Sequence, residues 1–220
     1  MYRRPDIALV IALAGFAASW AVLSVYGGIT AAPWLQQTID LVVISAPAVA
    51  AVFVAVVVAG RPGFWRRVLV VRGSDLLLGL GVGLTARALV EVVSPTTGSL
   101  LAGFGGASLG GIAVLIVGAA IVTPIVEELY FRGLIVPAVA EASAGAGRIV
   151  AAVTSVVVST VAFVALHYIA SNGAASWPAL IGPAAVSVGC GILFLLTGRL
   201  GGPIVAHVVF NAIGVALLIW

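Results

Sequence analysis

The stretch Ile125-Val126-Glu127-Glu128-Leu129-Tyr130-Phe131-Arg132-Gly133 puts three ionisable side chains within six residues of an otherwise apolar run. Only 8% of the 220 residues are charged, 63% are hydrophobic, and the mean hydropathy is +1.29. A charge at the centre of a membrane helix costs about 2.5–3.5 kcal/mol on insertion scales. Three of them together must pair, face water or do chemistry, so this cluster is where function is expected.

A soluble domain carries roughly a quarter charged residues, and this composition excludes one. Apolar runs of about 20 residues are long enough to cross a hydrocarbon core of about 30 Å. The expected fold is all-α, a polytopic transmembrane bundle with an intramembrane polar cavity. Seven spans are read: Ile7 to Tyr26, Ile39 to Ala59, Leu76 to Val93, Leu109 to about Val136, Ile149 to Ala170, Ala179 to Thr197 and Pro203 to Trp220. Gly27-Gly28, Arg61-Pro62-Gly63, Ser94-Pro95, Ser171-Asn172-Gly173 and Gly198 to Gly202 are turn signals between them. The run from Ile7 to Tyr26 is too long for a signal-peptide core and is read as a retained span. Residues 1–108 form three N-terminal spans and 109–220 a four-span core, expected to make one integrated domain.

The chain has no lysine, and its net charge of +3 rests on arginines in short loops, which gives no basic face for nucleic acid. Arg3, Arg4, Arg61, Arg66, Arg67, Arg72, Arg148 and Arg199 fall on one side if the spans alternate, whereas the opposite loops contain no Lys or Arg. This asymmetry places the N-terminus in the cytoplasm and, with seven spans, the C-terminus outside. The composition suits an integral multi-pass protein of a prokaryotic cell membrane. Cys190 cannot form an internal disulfide as the sole cysteine and is read as a packing residue. Arg87 and Glu91, four apart, share a helix face and are expected to pair. Gly79-x-x-x-Gly83 and Gly106-x-x-x-Gly110 are read as close helix contacts.

Glu128 and Arg132 are also four apart, while Glu127 is rotated by about 100°. Arg132 is expected to hold Glu128 and leave Glu127 free as a general base in a low-dielectric pocket. Pro124 and Pro137 bracket the cluster, where a kink could widen the cavity. The histidines are His167, with Phe163 four before it, and His207, with Asn211 four after it. Glu127, His167 and His207 are a possible set of ligands for Zn²⁺ or another divalent metal with an open position for water. A metal-free alternative has Glu127 and His167 polarising a water while His207 and Asn211 donate to an oxyanion. There is no H-E-x-x-H, no G-x-G-D and no G-x-S-G; Gly106-Ala107-Ser108-Leu109 fails at its last position.

These residues resemble the CPBP intramembrane proteases, a family (also called Abi) that includes CAAX prenyl proteases and bacteriocin-processing enzymes. E-E-x-x-x-R corresponds to Glu127, Glu128 and Arg132, F-x-x-x-H to Phe163 and His167, and H-x-x-x-N to His207 and Asn211. The lead-in from Thr197 to Ala206 is similar to the family's turn between its last two conserved helices, and the resemblance runs from about Leu109 to Gly214. It implies an endopeptidase acting in or at the membrane on a membrane-associated peptide or protein. Glu127 would be the base, His167 would share the water, and His207 and Asn211 would serve a metal or the oxyanion. Glu128 and Arg132 would support the site.

Two other functions compete: a non-proteolytic relative that binds a peptide or partner, as in bacteriocin immunity, and a small proton-coupled transporter. One difficulty is geometric. With the fourth span ending near Val136, Glu127 and His207 lie toward the cytoplasmic half and His167 near the outer end of its span. The histidines then differ in depth by about 10–15 Å, at 1.5 Å per helical residue. Convergence calls for a tilted sixth helix or a segment from Ser171 to Trp177 that dips inward.

Overall fold

A computed structural model describes residues 1–97 and 109–219, and the following account concerns those residues. The chain is helical throughout: α1 Pro5–Val25, α2 Pro33–Ala59, the short α3 Phe64–Val68, α4 Gly73–Val93, α5 Gly110–Ala142, α6 Arg148–Ala170, α7 Trp177–Thr197 and α8 Gly201–Ile219. Seven of these, all but α3, are long and apolar enough to cross a membrane. The number of spans is the one read from the sequence. Proline opens α1 and α2 and stands at the start of α7, where a missing N–H costs no helical hydrogen bond.

The main departure from the sequence reading is α5. It continues to Ala142 as a 33-residue helix and contains two π turns, Gly118–Val122 and Phe131–Ile135. Each π turn ends two residues before a proline, Pro124 or Pro137. A proline removes one i→i−4 bond, and the widened turn absorbs the loss. In the first turn, Thr123 N–H donates to Gly118 O and bypasses Ala119 O. The next N–H that could serve Ala119 would be that of residue 124, which is proline. In the second, Gly133 O would be the acceptor of residue 137, again proline. Both carbonyls recruit donors from outside the helix: Asn211 Nδ2 donates to Ala119 O at 2.9 Å, and the Tyr2 hydroxyl donates to Gly133 O at 2.9 Å.

The longer α5 removes the depth difficulty. Counted from the turn of residues 143–147 that joins α5 to α6, Glu127 lies 15 residues back from Ala142 and His167 lies 19 residues on from Arg148. At 1.5 Å per residue these are about 22 and 28 Å. The two side chains are near neighbours across a helical hairpin. The segment between α6 and α7 forms a compact turn, with Asn172 and Gly173 left-handed.

Instead it is the α7–α8 connection that sinks into the protein. Left-handed Gly198 ends α7, and Leu200 is completely buried, with its N–H bonded to Val68 O at 2.8 Å. Arg199 forks onto Asp75, with Nε and Nη2 donating to the two carboxylate oxygens at 3.0 and 2.6 Å. The carboxylate beside Arg199 raises the arginine's affinity for its proton further. Asp75 is fully buried and also accepts from Arg72 N–H, capping α4. This anchor starts α8 deep enough for His207, two turns on, to reach the middle of α5.

Gly79 and Gly83 are where α4 meets α8. A Cβ at Gly79 would stand 2.7 Å from Gly202 O, and one at Gly83 would stand 2.5 Å from Ala206 O. The expected close helix contact is present there. Gly106-x-x-x-Gly110 falls largely outside the described residues. Arg87 and Glu91 pair as expected and gather Thr96, while the guanidinium lies over the Phe210 ring at 5.1 Å. Cys190 is buried, with its thiol toward Pro203 O, in a packing position.

Candidate active site

Glu128 and Arg132 lie on one face of α5 and are both completely buried; Arg132 Nη1 donates to Glu128 Oε1 at 3.0 Å. A buried ion pair survives only with further hydrogen bonds, and this one has them. Arg132 Nη2 donates to Ser187 O and Ser187 Oγ at 2.6 and 2.8 Å, and the Ser187 hydroxyl stands 3.1 Å from that of Thr160. The guanidinium also lies over Phe163, 5.3 Å from the ring centre. Ser187 and Thr160 escaped the sequence reading because a serine or threonine in an apolar helix carries no spacing signal.

His207 joins the two glutamates. Its Nδ1–H donates to Glu128 Oε1 at 2.8 Å, and Nε2 lies 3.5 Å from Glu127 Oε2. Glu128 is an acceptor, so its bond fixes the proton on Nδ1. Donation from Nε2 to a substrate oxygen therefore requires the doubly protonated ring. His167 is oriented differently: its Nδ1–H has a carbonyl partner, Phe163 O, at 2.9 Å. Its Nε2 is thereby left with a lone pair, facing Glu127 Oε1 at 4.0 Å. The Phe163 ring packs between the two imidazoles, with centroids 4.3 Å from His167 and 5.7 Å from His207. Phe163 thus orients His167 through its backbone and walls both rings with its side chain.

Glu127 is partly open, at 21% of its side-chain surface, against 2% for His207. It faces a pocket of about 270 Å³ between α1, α2, α5 and α6, shared with Thr123, Tyr130, His167, Ser19 and Ser45. The remaining wall is aliphatic and aromatic, so the pocket is a largely apolar chamber with a polar floor. Ser19 Oγ, buried, has no hydrogen-bond partner among the described residues. Asn211, expected at the oxyanion, spends one amide N–H on Ala119 O, which leaves its second N–H for another acceptor.

The donor set for a metal can be tested on these distances. Ligands of a tetrahedral zinc at about 2.0–2.1 Å stand about 3.3 Å apart. The Glu127–His167 separation of 4.0 Å exceeds this, and among the described residues no group of three His, Cys, Asp or Glu is placed to hold an ion. Glu127, His167 and His207 as placed do not form a three-ligand metal centre.

Residues 109–213 match the family described as type II CAAX prenyl endopeptidase, Rce1-like. This part of the chain belongs to that family. It covers α5 to α8 apart from the last residues, about half of the chain, and contains every residue of the buried network. No curated protein and no solved structure gives a significant match. The Rce1-like family is one of membrane endopeptidases, in keeping with the multi-pass architecture. The helices that close the pocket opposite Glu127, α1 and α2, lie outside the Rce1-like region.

Proposed function

We propose that this protein is a membrane endopeptidase in which Glu127 and His167 activate a water for attack on a peptide carbonyl. The observation that carries the reading is the 4.0 Å gap between Glu127 Oε1 and the lone-pair nitrogen of His167 at the floor of the pocket. A gap of that width suits a bridging water. Such a water gives one hydrogen to each acceptor, and its oxygen is left to attack. As the C–O bond forms, Glu127 takes the proton, and it returns that proton to the leaving amide nitrogen when the C–N bond breaks. His207 Nε2, when protonated, and the second N–H of Asn211 supply donors for the intermediate's oxyanion. Glu128, Arg132 and Ser187 hold His207 in place.

The apolar chamber suits a peptide presented at the membrane by a lipid or apolar anchor. A peptide with a prenylated cysteine followed by three C-terminal residues is the first substrate to try, because the matched family is named for it. The arginine-bearing ends of the helices face the cytoplasm by the positive-inside rule, which puts residue 1 on that side.

The test uses protein reconstituted in liposomes with a farnesylated peptide ending in C-a-a-X and with an unmodified transmembrane peptide. Release of a C-terminal fragment by wild type and not by Glu127→Gln is the expected result. Tight binding of the peptide with no cleavage by wild type overturns the peptidase reading in favour of a binding protein.

A further inference from the structure

We propose that Arg3, Arg61 and Arg66 form a binding site for the phosphate of an anionic glycerophospholipid. An isolated antiparallel bridge joins Tyr2 to Gly60. Arg3 N–H bonds Ala59 O at 2.7 Å, and Arg61 N–H bonds Met1 O at 3.3 Å, which lays the two segments side by side. Each arginine then anchors its side chain on the opposite segment. Arg3 Nε donates to Gly60 O at 3.0 Å, and Arg61 Nε donates to Tyr2 O at 3.4 Å. Anchoring through Nε leaves both terminal nitrogens of each guanidinium to point elsewhere. Left-handed Gly63 turns the chain into α3, which brings Arg66 to the same place.

The three arginines line one pocket of about 450 Å³ that includes no acidic residue. Arg87, Arg132 and Arg199 each have a carboxylate partner, whereas Arg3, Arg61 and Arg66 make no ion pair among the described residues. Three like charges held around one pocket in a chain so poor in charge call for an anion to neutralise them. Guanidinium forks match the paired oxygens of a phosphate, the anion that every glycerophospholipid carries at the membrane surface.

The remaining wall favours a lipid over a free ion. Val56, Val57 and Trp65 line the same pocket, with Val57 61% and Trp65 38% exposed. They continue into the exposed apolar face of α2, where Phe53 and Val54 are also uncovered. An acyl chain can therefore run along α2 from a phosphate held at its end, and a tryptophan at the headgroup level suits such a boundary. The pocket lies outside the Rce1-like region and takes no part in the proposed chemistry.

Native mass spectrometry of the detergent-purified full chain with phosphatidylglycerol and phosphatidylcholine tests the site. Wild type is expected to retain one phosphatidylglycerol at least tenfold more strongly than phosphatidylcholine. Arg61→Gln with Arg66→Gln is expected to abolish that preference. Arg66→Gln alone, which breaks no hydrogen bond within the protein, is expected to weaken it. A charge-matched control, Arg67→Gln with Arg148→Gln, removes two arginines that do not line the pocket and is expected to keep it. Equal loss in the control reduces the effect to general surface charge and overturns the site. Retention in the Arg61/Arg66 variant overturns it as well, and so does displacement of the lipid by millimolar inorganic phosphate, which would mark a free-anion site.

Discussion

Glu127 Oε1 stands 4.0 Å from His167 Nε2, across a helical hairpin whose turn is about 22 and 28 Å away along the two helices. Glu127 is partly exposed to the pocket and holds none of the buried structural bonds. Its replacement by glutamine should therefore remove function without removing the fold. Activity of Glu127→Gln is expected to fall by about 10²–10⁴-fold, the range of general-base catalysis. The thermal midpoint in detergent should stay within a few degrees of wild type. A large loss of stability in this variant would place Glu127 in the structural network instead.

Arg132 gives the opposite expectation. Its guanidinium neutralises Glu128 and holds Ser187, all in the buried interior. Arg132→Ala leaves a buried carboxylate without its cation, a change worth about 3–5 kcal/mol. Arg132→Lys should recover only part of this, because an ammonium cannot serve Glu128 and Ser187 with the same planar fork. Denaturation in mixed micelles measures both; Arg132→Lys equal to wild type would contradict the geometry.

The α4–α8 contact sets the position of His207. Gly83→Val puts a side chain against Ala206 O, next to the histidine. The expected cost is about 1–3 kcal/mol of overpacking, together with a loss of activity from the displaced imidazole. Gly81→Ala is the control: nothing lies within 4 Å of its Cβ, and stability should change by less than about 1 kcal/mol. Loss of activity in Gly81→Ala would show that the comparison reads helix flexibility rather than contact.

Tyr2 supplies a pH test. Burial, and after it the Glu141 carboxylate, raise the Tyr2 phenol above its ordinary value. A raised folded-state value means that the contribution of the protonated phenol is complete below the unfolded value of about 10. It is lost as pH climbs through the higher folded value. Stability should fall in strongly alkaline buffer, and Tyr2→Phe should fall less steeply there. At neutral pH, Tyr2→Phe should cost about 0.5–1.5 kcal/mol for the bond to Gly133 O. Parallel alkaline melting curves for the two proteins would refute this role.

The water-activation reading also predicts that exhaustive dialysis against a chelator leaves activity within twofold of the starting value. Loss on dialysis with recovery on adding zinc would mean that the three candidate ligands close together when substrate binds.

Much of this was legible in the chain. The seven spans follow from runs of apolar residues, and the Glu128–Arg132 pair follows from a spacing of four on one helix. The approach of α4 to α8 follows from Gly79 and Gly83. The length of α5 was not legible, since Pro137 reads as a stop; the protein passes it by widening the preceding turn. Nor was the buried connection at Leu200, because it depends on Asp75, a lone carboxylate at a helix start whose partner is 124 residues away. The Asn211 bond to Ala119 arises from a carbonyl left open by a π turn, and no residue spacing reports that.

That open carbonyl has a consequence for biosynthesis. Ala119 O lies in α5, yet its donor belongs to α8, which also brings His207 to the glutamates. A ribosome-bound chain that has inserted α5, α6 and α7 has Glu127, His167 and the Glu128–Arg132 pair but lacks both the His207 bond to Glu128 and the group that closes the backbone. On the proposed reading, the candidate site is therefore complete only once translation has supplied α8, and an interrupted chain carries Glu127 and His167 without the imidazole that joins the two glutamates.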